Sequence, residues 1–155
     1  MSIVTDAKNG LFTLHTKNTT YQMKADSLGT LLHVYYGERT DDSDKSYVIC
    51  MKDRGFSGNP YEVGKKSKEY SLDTLPQEYS CYGTGDYRIS ALKVQNMDGS
   101  LAAALRFKEY QVIRGKYTIQ GLPAVYSEKE KADTLEVSLE DTASKVEVPL
   151  LYGVV

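Results

Sequence analysis

Alternation of apolar and polar side chains, broken by short turn signals, is the feature that most constrains this chain. It is cleanest near the end, where Leu135, Val137 and Leu139 face one way, as do Val146, Val148 and Leu150, with Asp141–Ser144 at the tip between them. A period of two marks a strand with one buried face, and two such runs around a polar tip read as an antiparallel hairpin. The opening residues repeat the pattern. Phe12, Leu14 and Thr16 alternate, Tyr21, Met23 and Ala25 share a face, and Lys17-Asn18 is a two-residue hairpin connection. In the next run Leu31, His33 and Tyr35 share one face and Leu32, Val34 and Tyr36 the other. A strand apolar on both sides belongs between two layers.

The same reading places strands at Ile3–Thr5, Leu11–Thr16, Thr19–Ala25, Thr30–Tyr36, Tyr47–Met51, Tyr87–Asn96, Leu101–Arg114, Tyr117–Ile119, Thr134–Leu139 and Lys145–Leu151, with Asp98-Gly99 closing a hairpin. Ala102-Ala103-Ala104 suits a helix, but Tyr110–Ile113 and the Asp-Gly turn favour a strand. The expected fold class is all-β: one antiparallel β-sandwich domain over 1–155, of roughly ten strands with a long central loop excursion. The excursion comprises a Gly-, Asn-, Pro- and Lys-rich loop, 53–69, and the stretch SLDTLPQEYSCYGTGDYR, 71–88. In the latter, Pro76 interrupts a ladder and Gly83 and Gly85 permit unusual backbone angles.

Composition excludes several classes. The 155 residues carry a formal charge of −2 with 26% charged side chains, so no basic surface points to nucleic acid. No apolar run approaches the roughly 20 residues of a membrane span, and no signal peptide opens the chain, so no membrane partner and a cytoplasmic location are expected. Cys50 and Cys81 read as reduced core thiols. Tyrosine is common, at 13 residues, while tryptophan is absent, a balance that favours strands and wet interfaces.

No constellation for chemistry stands out. His33 reads as a half-buried, hydrogen-bonded histidine rather than a ligand or base, and His15 as lacking a nearby acid. Asp41, Asp42 and Asp44 lack the glycine and terminal glutamate of an EF-hand loop, so residues 38–46 read as a solvated loop. Gly83-Thr84-Gly85 lacks the lysine and helix of a phosphate loop. Asp73 and Glu78 read as tying down their own loop, Asp73 through the backbone near Thr74–Leu75, and Glu78 or Asp86 through Arg88. No metal site and no cofactor are expected, and no catalytic residues.

The stretch 71–88 resembles the signature of the amino-terminal domain of glycoside hydrolase family 36 α-galactosidases. LLHVYYGER (31–39), DRGFSGNPYE (53–62) and GLPAVYSEKEKADTLEVSLED (121–141) resemble the same family in the same order. The resemblance implies a β-supersandwich set before a catalytic TIM barrel. A barrel takes about 250 residues, more than this chain, so its catalytic aspartates would be absent here and the domain is expected to be a truncated piece with a cut edge near 145–155. It implies a homo-oligomer, a tetramer in the full-length enzyme, acting on raffinose- or melibiose-type galactosides only with the barrel present. It also implies that the 53–62 loop reaches a neighbouring subunit's active site, with Asp53 as the substrate-binding acid. A carboxylate accepts hydrogen bonds from two sugar hydroxyls at once. From the residues alone, Asp53 reads as pairing locally with Arg54 or a lysine. The alternative is a free-standing carbohydrate-binding sandwich in which Tyr35, Tyr36, Tyr61 or Tyr82 stacks on sugar rings.

Overall fold

A computed structural model describes residues 2–53, 60–84, 89–124, 126–128 and 131–155. Among the described residues, seven strands form two antiparallel sheets. The first contains β1 (Ser2–Asp6), β2 (Leu11–His15), β3 (Thr19–Ala25) and β4 (Leu31–Glu38) in sequence order. The second contains β5 (Arg106–Arg114), β6 (Asp133–Asp141) and β7 (Val146–Val154), also in order. Every connection within a sheet joins neighbours, as the hairpin signals require. Among the described residues there is no α-helix; short 3-10 turns lie at Ser46–Val48 and Tyr61–Lys66.

The inner faces interlock. Phe12, Leu14, Met23 and Leu31 of the first sheet meet Leu135, Val137, Leu139 and Val154 of the second in one buried cluster. The Phe12 ring lies edge-on to Tyr110 at 5.0 Å. Burying such side chains supplies about 1.5–3 kcal/mol each, the main driving force for closing the sandwich. The outer side of β4 is covered too: Leu32 packs with Tyr70, Leu72 and Leu75 from the excursion. The two-sided apolar pattern of β4 thus reports a strand between layers, as expected, although its far end emerges and Tyr36 is 67% exposed.

Both clear hairpins form. Thr16 N donates to Thr19 O at 3.0 Å across Lys17-Asn18. At the other tip, Asp141 caps the turn through Ala143 N and Ser144 Oγ. Gly10, at φ +64°, lies so near the end of β3 that a Cβ would sit 2.4 Å from Ala25 O.

The strand count falls short of ten for a specific reason. Residues 89–96 and 101–105 are not strands, although the Asp98-Gly99 turn closes with Asn96 N donating to Ser100 O at 2.8 Å. Residues 80–82 lie between the two arms: Tyr82 N donates to Leu92 O and Ala103 N donates to Tyr82 O. Asn96 still joins the arms through Ser100 O and Ala102 O, but beyond it their backbones bond the intervening loop. Gly83, at φ +98°, makes this possible, because a Cβ there would sit 2.8 Å from Ala102 Cα. Gly85 lies outside the described residues. Residues 47–51 form a 3-10 turn and coil with Tyr47 exposed, and 117–119 are coil.

The acidic loop also differs from expectation. Thr13, His15, Thr20 and Gln22 form a buried polar outer face on the first sheet, and residues 40–45 satisfy it. Gln22 Nε2 donates to Ser43 O and its Oε1 accepts from Lys45 N. Thr20 Oγ1 accepts from Thr40 N. His15 does have an acid, with Asp42 Oδ1 at 2.6 Å from Nε2 while Thr20 Oγ1 lies 2.8 Å from Nδ1. Lys45 is buried, and its Nζ donates to Asp41 O, Asp41 Oδ1 and Ser43 O at 2.8–3.0 Å. Bonds from Ser43 and Lys45 hold the Asp41 carboxyl down at about 2. The loop is a lid pinned by an internal ammonium. Lys45→Ala is expected to cost about 2–3 kcal/mol by leaving those carbonyls without their charged donor, read as a lower urea midpoint and faster proteolysis between Arg39 and Ser46.

Candidate functional site

The first candidate is the surface around Asp53. Met51, Lys52 and Asp53 are exposed coil, following the exposed Tyr47 and Val48. Residues 54–59, which carry most of the DRGFSGNPYE motif including Arg54, lie outside the described residues. On the far side of that segment, Tyr61 is 97% exposed. Asp53 is therefore presented on a surface loop with exposed apolar and aromatic side chains before and after it.

The second place was not foreseen. The short run Pro76–Glu78 pairs onto the edge of β4: His33 N donates to Pro76 O and Glu78 N donates to Leu31 O. This register turns the Glu78 side chain inward, where it is only 9% exposed. Tyr21 Oη, from β3, donates to its carboxylate with Oε1 and Oε2 at 2.5 and 2.6 Å. Tyr152 Oη, from β7, donates to Oε1 at 2.9 Å. His33 Nδ1 lies 3.7 Å from Oε2. The Tyr21 ring is 5.1 Å from His33 and 6.2 Å from Tyr152. Burial first, and then the Glu78 carboxylate, push both phenols well above their ordinary range.

Chemically, the cluster is an interlock. One carboxylate joins both sheets to the excursion, and both its oxygens already accept from phenol donors. Glu78 thus ties down its own loop, as expected, but through Tyr21 and Tyr152; Arg88 and Asp86 lie outside the described residues. No periodicity signals this, since the partners stand 57 and 74 residues away. Asp73 sits half-buried in the turn before Pro76.

Cys81 is a buried free thiol donating to Ala103 O, whereas Cys50 is exposed, which corrects its expected place in the core. Among the described residues no three His, Cys, Asp or Glu side chains gather to hold a metal. No helix among them is long and apolar enough to cross a membrane.

A two-sheet antiparallel sandwich with a loop layer, joined by a buried carboxylate that accepts from both sheets, defines an all-β scaffold domain. Residues 29–155 match the glycosyl hydrolase family 36 N-terminal domain, and the chain belongs to that family. It is 54% identical over 154 residues to the bifunctional alpha-galactosidase/sucrose kinase AgaSK of Mediterraneibacter gnavus, covering 99% of this chain and 16% of that protein. It is 39% identical over 150 residues to alpha-galactosidase Mel36A of Lactobacillus acidophilus, covering 96% of this chain and 20% of that protein. The solved galactosidase domain of AgaSK superposes with a TM-score of 0.93 at 53% identity, over 99% of this chain and 21% of that one. A variant of the alpha-galactosidase AgaA of Geobacillus stearothermophilus in complex with raffinose superposes at 0.83 and 39% identity, over 93% of this chain and 20% of that one. The chain spans 16–21% of the length of these relatives.

Proposed function

We propose that this chain serves as the accessory N-terminal domain of an α-galactosidase acting on raffinose- or melibiose-type sugars. It packs on a catalytic barrel, helps build a homo-oligomer, and lends Asp53 to the galactose site of a neighbouring subunit. The observation that carries this reading is the match of residues 29–155 to a family of N-terminal domains, together with relatives named as alpha-galactosidases that are about five times longer. The exposed position of Asp53, bracketed by Met51 and Tyr61, supports its role in trans. Two free cysteines support a reducing, cytoplasmic setting.

Hydroxyl recognition by a carboxylate is the chemistry asked of Asp53. A charge-assisted bond is worth about 1.5–3 kcal/mol, so Asp53→Asn in the full-length enzyme is expected to raise KM for melibiose roughly ten- to hundredfold. An unchanged KM removes Asp53 from the site. Melibiose titrated into the 155-residue chain alone should show no saturable binding, since one acid without a pocket leaves the sugar solvated. Saturable binding would instead favour a free-standing carbohydrate module built on exposed rings such as Tyr36 and Tyr61.

A further inference from the structure

The two sides of the Asp53 loop rest on one small apolar plate. Leu32 of β4 packs with Tyr70, Leu72 and Leu75 in a buried cluster, and Ile49 and Val63 both lie against it. Ile49 precedes Asp53 in the chain and Val63 follows it. Both feet are only partly buried, so neither holds the loop by its own burial. Glu62 adds a contact 3.9 Å from Arg106 of β5, but its side chain is 56% exposed, and an exposed ion pair contributes little. The place of the feet is therefore set by what fixes the plate.

Tyr70 joins the plate to a line of polar groups that runs from a cation to an anion. Phe107 N donates to Gly29 O at 2.7 Å, which draws the start of β5 against the turn between β3 and β4. Arg106 Nη1 then reaches Thr30 Oγ1 at 2.7 Å, and Thr30 Oγ1 lies 2.8 Å from Tyr70 Oη. Tyr70 Oη in turn bonds Asp26 Oδ2. The direction of every proton follows. A guanidinium can only donate and a carboxylate can only accept, so Arg106 donates to Thr30, Thr30 to Tyr70, and Tyr70 to Asp26. Asp26 is itself fixed, because its Oδ1 accepts from Leu28 N and Thr30 N at 2.9 Å. Thr30 and Tyr70 are buried, and aligned donors in a buried chain strengthen one another. Phenylalanine at position 70 would fill the same space without this register.

We propose that Tyr70 is a positioning residue for the Asp53 loop, held at its hydroxyl by Arg106, Thr30 and Asp26 so that the Asp53 carboxylate meets the sugar in the neighbouring subunit. The inference rests on the functional reading above and adds to it the residues that aim the acid. Tyr70 is buried and acts through the feet at Ile49 and Val63.

Kinetics of the full-length enzyme test this. Tyr70→Phe is expected to raise KM for melibiose roughly fivefold with kcat held, because a displaced acid weakens binding away from the reacting bond. In an Asp53→Asn background the same substitution should leave KM where Asp53→Asn alone puts it, since no carboxylate remains to be aimed. A mere loss of folding stability does not give that pattern. Tyr21→Phe is the control: it removes a buried phenol from the Glu78 interlock and should leave KM unchanged. An unchanged KM for Tyr70→Phe overturns the proposal. So does a rise that persists in full beside Asp53→Asn, or an equal rise in Tyr21→Phe. Val63→Ala trims one foot, leaves the polar chain intact, and covers the case of a Tyr70 variant that does not fold. It should raise KM in the same way, and an unchanged KM there also overturns the proposal. Hydrogen exchange scores the anchoring apart from any activity. Val63 N donates to Pro60 O at 3.0 Å. In the 155-residue chain this amide should exchange roughly fivefold faster in Tyr70→Phe and at its usual rate in Tyr21→Phe, as a local opening does. A faster Val63 amide beside an Asp53→Asn enzyme of unchanged KM sinks only the functional reading. An unchanged Val63 amide beside the Asp53 effect sinks only the positioning role.

Discussion

Replacing Glu78 with alanine is expected to cost about 3–4 kcal/mol, because it leaves buried tyrosine hydroxyls without an acceptor at about 1–3 kcal/mol apiece. For a domain of this length that is a fall in Tm of roughly 10 °C. The carboxylate is 9% exposed, so solvent screens the loss little. Glu78 accepts from Tyr21 in one sheet and Tyr152 in the other, and its own backbone N–H bonds Leu31 O on β4. The alanine variant should therefore loosen three layers together, with proteolysis appearing in 70–84 before the strands. Glu78→Gln should lie between, since it keeps one carbonyl oxygen for the phenols. Tyr152→Phe, which removes a donor and leaves the acceptor satisfied by Tyr21, should cost only about 1 kcal/mol. In a double-mutant cycle, Glu78→Ala and Tyr152→Phe should be non-additive, as contacting partners are. A loss below about 1 kcal/mol for Glu78→Ala, or strict additivity with Tyr152→Phe, rules out the interlock.

The contrast between Glu78 and Tyr21 shows what the residues could disclose. Tyr21, Met23 and Ala25 were placed on one face by period alone, because in a strand the side-chain direction follows from parity. The same rule placed Leu31 and Leu32 on opposite buried sides of β4 and set both hairpins. Alternation does not say which backbone a run will pair with. Residues 89–96 keep the rhythm, yet residues 80–82 take their hydrogen bonds at Leu92 and Ala103. Tyr47–Met51 has strand composition, but Lys45 must first reach Asp41 and Ser43, and the chain leaves that loop through a 3-10 turn. The sequence shows no acid beside His15 because Asp42 is 27 residues away and arrives only when the loop covers the sheet. Glu78 was read as a local tether for the same reason: its donors are brought in by tertiary packing. Asp53 is a different case. Nothing in its neighbours' chemistry marks it; resemblance alone singles it out, and its exposed place on the loop is compatible with either partner.

Alkaline pH should unfold this domain more abruptly than acid. Burial raises the phenol of Tyr70 above its ordinary 10.0, helped by its bond to Asp26 Oδ2. Tyr21 and Tyr152 are raised by burial and by the shared Glu78 carboxylate. In each case the folded value exceeds the unfolded one. The stabilisation is therefore whole below the unfolded value of 10.0 and drains away as pH climbs past it toward the folded values. Ionising Tyr21 or Tyr152 in place would set a second negative charge against Glu78, so the chain unfolds to release those protons instead. The urea midpoint is expected to stay level up to about pH 9.5 and then to fall, with two to three extra protons lost on unfolding. Lys108 is held up by Glu147, so its share drains away in the same window, above 10.5. Lys108→Met serves as the control for it. The Tyr21→Phe, Tyr70→Phe, Tyr152→Phe triple variant should flatten the alkaline limb while lowering stability at neutral pH. Phenolate absorbance from these three residues rising near pH 10 with the urea midpoint unmoved would show that their hydroxyls are not held by Glu78 and Asp26 in the folded state.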